Sequence, residues 1–122
     1  MTISSIPGRP RRTTGKSMEE QGSRQAWVMY LKAGNEEVYK SKHDEIWPEM
    51  LELMKTEGIR NYSIYRHGLT LFAYLERDRP ATKHQKVSPI QLRWWAMMAP
   101  YMVCNPDGSP VQEPIKEMFH AD

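Results

Sequence analysis

The stretch "IRNYSIYRHGLTLFAYLER", residues 59–77, decides the fold. It contains two alternating runs joined at His67-Gly68, a pair that suits the tight turn of a β-hairpin. In the first run Tyr62 and Ile64 share one face, and Ser63 and Tyr65 the other. In the second run Leu71, Ala73 and Leu75 lie opposite Phe72 and Tyr74, so both faces are apolar. Upstream, "RQAWVMYLK", residues 24–32, has the same character: Ala26, Val28 and Tyr30 on one side, Trp27, Met29 and Leu31 on the other. A strand apolar on both faces is expected to be covered on both.

Between that strand and the hairpin, Asn35 is an N-cap candidate for a helix over about residues 36–56, which Gly58 ends. Pro48 has no N–H, and its ring crowds the carbonyl of Asp44, so a kink or restart is predicted between His43 and Trp47. Beyond the hairpin, residues 77–88 are polar and irregular. A second helix fits "SPIQLRWWAMMAPYM", residues 88–102, with Ser88 as N-cap and Pro89 at the first helical position. "NPDGSP", residues 105–110, is a run of turn formers, and "IKEMFH", residues 115–120, reads as a short last strand. The order β-α-β-β-α-β predicts an α+β, ferredoxin-like fold: a four-stranded antiparallel sheet with two helices on one face. Two helices leave the other face bare, and soluble monomers rarely expose so large an apolar patch. Burying one large side chain is worth about 1.5–3 kcal/mol, so a second copy packed on the sheet face, a homodimer, is the expected remedy.

A chain of 122 residues suits one domain and a tail. Residues 1–23 are polar and carry most of the local basic excess, at Arg9, Arg11, Arg12 and Lys16. They read as a disordered N-terminal tail, with an Arg-rich organelle transit peptide as the alternative. The folded part is expected from about Arg24. A net charge of +2, with no basic stripe in that part, argues against a nucleic-acid partner. A single cysteine, Cys104, forms no intramolecular disulfide and points to a reducing, cytoplasmic setting. No apolar run has the length of a membrane span, so no membrane partner is expected.

Tyr39 and His43, four apart, fall on one helix face, and the line continues into Trp47, Met50 and Met54. His43 thus points toward the sheet. It is either a proton carrier at the mouth of a cleft or a core histidine satisfied by a backbone carbonyl. Tyr62 either aims its hydroxyl at a ligand or simply fills a strand position that favours tyrosine. Trp94 and Trp95 point about 100° apart on a helix, so one can fill the core while the other lines a cavity. An indole is suited to stacking on a sugar face. Asn105 and Asp107 form a turn or, alternatively, a polar rim for the pocket. The histidines at 43, 67, 84 and 120 show no metal-ligand spacing, and the glycines form no phosphate loop, so no metal and no cofactor is expected.

"WVMYLKAGNEEVYKSKHDEIWPEM", "GIRNYSIY", "LRWWAMM" and "NPDGSP" together resemble, in order and separation, the L-rhamnose mutarotases. The resemblance runs from about Arg24 to Phe119. It implies a dimeric α/β barrel over residues 24–122 that interconverts the α and β anomers of L-rhamnose, or a related aldose, without cofactor or metal. It implies that His43 is the proton donor and that Tyr39, Tyr62, Trp94 and Trp95 contact the sugar. On that reading His43 acts on the ring oxygen, as acid in opening and base in closing, while a phenol or a water attends the anomeric hydroxyl. The tail has no counterpart in compact family members. The segment "RDRPATKHQKVSPIQ", residues 77–91, is more polar and proline-broken than the resemblance leads one to expect, which bears on the choice of sugar. The alternatives are another cofactor-free enzyme on the same barrel, such as a monooxygenase or a sugar epimerase, and a non-catalytic sugar-binding module.

Overall fold

The computed structural model describes residues 23–79 and 86–122. Nearly all of the expected tail, residues 1–22, and the centre of the irregular segment, residues 80–85, lie outside the described residues. The sheet comprises β1 (Ser23–Tyr30), β2 (Ile59–His67), β3 (Thr70–Arg77) and β4 (Glu113–Ile115), in the order β2-β3-β1-β4. Every neighbouring pair is antiparallel. This is the expected ferredoxin-like arrangement, with β1 beginning one residue before Arg24. Helices α1 (Glu36–Asp44), α2 (Pro48–Thr56) and α3 (Pro89–Met98) fill the connections, and a short 3₁₀ turn, Ala99–Tyr101, extends α3.

The first helical connection is broken where Pro48 requires it. Pro48 is the first residue of α2, and Trp47 before it is extended, with φ −64° and ψ 138°. Glu45 and Ile46 close α1 by donating their N–H groups to Ser41 and His43 carbonyls. Asn35 does not cap α1 with its side chain. Its Nδ2 instead donates backward to the carbonyls of Lys32 and Ala33, at 3.1 and 3.3 Å, tying the preceding turn. Ser88 does cap α3: its Oγ accepts from the Ile90 N–H at 3.2 Å.

The core is made by Met29 and Leu31 of β1 and its end, Leu71 and Ala73 of β3, Tyr39, Met50, Trp94, Met98 and Met102. These residues face the helices. The hairpin turn centres on Gly68 and Leu69, one residue later than expected, because His67 pairs with Thr70 and Gly68 takes the positive φ of 62°. The last strand is also displaced. It covers Glu113–Ile115 rather than residues 115–120 and pairs with Ala26, Trp27 and Val28. Beyond it, Glu117 is drawn into an ion pair with Arg24 at 2.8 Å instead of extending the ladder.

Strand β2 carries an irregularity not foreseen in its alternating pattern. Its register against β3 shifts between Arg60 and Ser63, and Asn61 takes a φ of 51°. Ile59 pairs with Arg77 and Ile64 with Ala73. Both β3 residues lie on the helix-facing side, so Ile59 and Ile64 share a face although they are five apart. One extra residue, a β-bulge, reverses the alternation and turns Tyr62 inward. The Asn61 Nδ2 donates to Glu76 Oε1 at 2.8 Å, which ties the bulge to β3.

Gly58 ends α2 as expected, with φ 75°, and its carbonyl accepts from the Asp78 N–H at 2.9 Å. An L side chain there would be strained and would run into the Asp78 carboxylate. Gly58→Ala is expected to lower unfolding stability by about 1–2 kcal/mol, read as a shifted midpoint in urea denaturation.

Candidate active site

A cavity of about 450 Å³ opens between the helices and the helix-facing side of the sheet. Helix α1 places Tyr39 and His43 on its wall, β2 places Tyr62, and α3 places Trp94 and Trp95. All five residues singled out in the sequence therefore meet in one place. Trp94 is buried in the core and Trp95 is only partly buried against it, but both line the cavity, so the expected split between core and cavity wall is only partly realised.

His43 is held closely. Its Nδ1 lies 3.0 Å from the Tyr39 carbonyl oxygen. A carbonyl only accepts, so Nδ1 carries the proton, and in the neutral ring Nε2 keeps its lone pair. The two readings of His43 are thus not exclusive: a backbone carbonyl satisfies one nitrogen while the ring borders the cavity. The imidazole lies over the Tyr39 ring, with centroids 4.2 Å apart, and meets Trp94 edge-on at 5.2 Å. Trp47 meets Trp94 edge-on from the other side, also at 5.2 Å. Contacts of this kind add about 0.5–1.5 kcal/mol each beyond area burial.

Burial sets the protonation states in this wall. It lowers the pKa of His43, against the opposing effects of the Tyr39 carbonyl and the Asp44 charge. It raises that of Tyr39, with a further push from Tyr62. It pushes the Tyr62 phenol up to about 12. Near neutral pH the wall therefore offers a neutral imidazole and two protonated phenols, which donate hydrogen bonds rather than remove protons.

Several contributors were not singled out in the sequence. Trp27 backs Tyr62, with ring centroids 5.8 Å apart, and its Nε1–H is buried without an acceptor among the described residues. Gln91 and Gln112 also reach the cavity wall. Gln91 precedes Trp94 by three positions and Trp95 by four, a spacing that could have flagged it. Gln112 follows a turn and carried no such signal. Asn105 and Asp107 do not rim the pocket. Asp107 accepts from the Ser109 N–H and Oγ–H at 2.9 and 2.6 Å, and Asn105 donates to Ser109 Oγ at 3.0 Å. The turn they lock delivers Pro110 to the cavity wall. Among the described residues, no group of three or more His, Cys, Asp or Glu side chains is placed to hold a metal, and no helix is long and apolar enough to cross a membrane.

Fold and wall together define a ferredoxin-like α+β protein with an aromatic pocket built around one partly buried imidazole. The L-rhamnose mutarotase family profile matches residues 24–121. A protein of Listeria monocytogenes described as an L-rhamnose mutarotase is 46% identical over 101 residues, covering 80% of this chain and 96% of the relative. One from Bacillus subtilis, described likewise, is 42% identical over 102 residues, covering 81% of this chain and 98% of its own length. The crystal structure of an L-rhamnose mutarotase from Formosa agariphila is similar with a TM-score of 0.73 and 36% identity, covering 82% of this chain and 99% of that one. The chain belongs to the L-rhamnose mutarotase family.

The lowered pKa of His43 has a measurable consequence. As pH falls, the unfolded chain takes up the imidazole proton before the folded one does. The contribution of this group is therefore fully present above the ordinary value of 6.5 and is lost as pH drops toward the lower folded-state value. Urea midpoints followed from about pH 7.5 to about 5 are expected to fall more steeply for the wild type than for His43→Gln.

Proposed function

We propose that this chain is an isomerase that interconverts the α and β anomers of L-rhamnose, with His43 as the proton carrier. The observation that carries the reading is an imidazole pinned through Nδ1 to its own helix and bordering an aromatic cavity, in a chain of this family. Tyr39, Tyr62, Trp94 and Trp95 are assigned to binding the sugar: the phenols donate hydrogen bonds, and the indoles supply flat walls.

Ring opening moves one proton. The anomeric hydroxyl O1 gives its proton to Nε2, and the C1=O1 bond forms. The C1–O5 bond breaks, its electron pair goes to O5, and the imidazolium delivers the proton there. O1 and O5 are both bonded to C1, so a single imidazole, with or without a bridging water, can attend both. After rotation about C1–C2 the steps run in reverse onto the other face of the aldehyde. His43 is thus acid to the ring oxygen in opening and base in closing. Because the phenols stay protonated, the neutral imidazole receives the anomeric proton. Burial makes its conjugate acid stronger than free imidazolium, which favours delivery to a weakly basic ring oxygen.

Anomer exchange of L-rhamnose followed by saturation-transfer NMR tests this assignment. His43→Ala is expected to lose about 10²–10⁴-fold of the acceleration. Exchange as fast as wild type in that variant would remove His43 from the chemistry. Since the free enzyme must start with a neutral imidazole, kcat/KM is expected to be level above the ordinary value of 6.5 and to fall on the acid side, with its inflection below that value.

We also infer a homodimer formed through the outer face of the sheet. Its support is the apolar surface left bare there: Tyr65, Phe72 and Ile115 are 66%, 41% and 46% exposed. Stable interfaces bury about 800 Å² per partner, and a four-stranded sheet face is of that order. Sedimentation is expected to give twice the chain mass, falling to the single mass in Tyr65→Glu/Phe72→Glu. The lone Cys104, with no disulfide partner in the chain, supports a cytoplasmic setting.

A further inference from the structure

A second cavity, of about 890 Å³, adjoins the first, and Tyr62, Gln91, Trp95 and Gln112 line both. These four side chains form the neck between them. His43 borders only the first cavity, so the neck, and not His43, opens into the second.

The two glutamines are the unexplained members of that neck. Gln91 is partly buried on the cavity-facing side of α3. Other side chains hold the local fold among the described residues. Ser88 caps α3, and Asn105 with Asp107 locks the turn that precedes Gln112. Each amide offers one acceptor oxygen and two donor hydrogens, which matches two neighbouring hydroxyls, one donating and one accepting.

We infer that Gln91, with Gln112 of the same neck, is a specificity-determining residue that reads the sugar hydroxyls farthest from the anomeric carbon, those at C3 and C4. This rests on the reading of the cavity as an aldose mutarotase site. With C1 at His43, the far edge of a pyranose ring is its C3–C4 edge, and the glutamines line the opening into the second cavity, which His43 does not border. These amides act on which sugar is accepted, not on the proton transfer itself.

The test measures anomer exchange by wild type, Gln91→Met and Gln112→Met on L-rhamnose and on its 3-deoxy and 4-deoxy analogues. A hydrogen bond of 1–2 kcal/mol corresponds to roughly 5- to 30-fold. On L-rhamnose, Gln91→Met is expected to lose about that factor in kcat/KM. On the analogue that lacks the hydroxyl it reads, the variant and wild type are expected to agree within about twofold. Gln112→Met is expected to show the same pattern with a smaller loss. The inference is overturned if Gln91→Met equals wild type on all three sugars, or loses the same factor on all three. Should Gln91→Met fold poorly by circular dichroism, Gln91→Glu, which keeps acceptors and removes donors, serves in its place under the same two criteria. A wild type that does not accelerate exchange of L-rhamnose overturns the mutarotase reading itself, and this inference with it. Acceleration by wild type with uniform behaviour of the variants removes the inference alone.

Discussion

Pro48 cannot donate a backbone hydrogen bond, and its ring excludes a helical residue in front of it. From that one constraint follows the shape of the site. A continuous helix over the same residues would carry His43 in its middle, with Trp47 one turn further along the same stripe. The break instead ends α1 one residue after His43 and starts α2 just after Trp47. The imidazole and the indole then approach Trp94 of α3 from two sides, each at 5.2 Å and each edge-on. A side chain gripped this way has little freedom, and the His43 ring beside it inherits that rigidity. The end of α1 also presents the negative end of a helix dipole to His43, which favours the imidazolium. Burial acts in the opposite direction and sets the direction of the shift.

The bulge at Asn61 does for the sheet what Pro48 does for the helices. Strand alternation alone can turn either Ile59 or Tyr62 toward the helices, not both, since they are three apart. The extra residue lets both face inward, so Ile59 borders the second cavity while Tyr62 reaches both. The non-glycine residue at positive φ is an asparagine, a residue type that tolerates this region, and its amide bonds to Glu76. Local strain is thus tied down by a side-chain hydrogen bond next to Tyr62 in the chain.

Much of the fold was legible because it depends on apolar alternation and on proline and glycine, whose effects are local. The hairpin, the break before Pro48, the Ser88 cap and the Gly58 stop are all of this kind. The features that were not legible depend on distant partners. Asn35 stands where a cap belongs, yet bonds backward to Lys32 and Ala33. The last strand lies at Glu113–Ile115 because β1 offers its free edge there, opposite Ala26 to Val28, and no pattern within residues 115–120 encodes that register. At the site, the i, i+4 spacing placed Tyr39 with His43, and the 100° turn separated Trp94 from Trp95. Trp27 comes behind Tyr62 through strand pairing and Gln112 reaches the cavity through a turn, so their spacing in the chain carried no signal.

The floor of the cavity makes sense in the same terms. Met29, Met50, Met98 and Met102 are buried around it, and Met54 joins them at the wall. A mutarotase must hold two ring forms and the open chain between them, which differ in shape. Tight complementarity to either ring form would stabilise a ground state and slow the exchange. Unbranched thioether side chains adapt their shape at low cost, so this floor can accommodate the turning aldehyde without selecting one anomer. Rate and tolerance then fall to different parts of one cavity. On the proposed roles, the aromatics and the pinned imidazole would hold the proton path, and the methionines of the same wall would leave the sugar room to rotate.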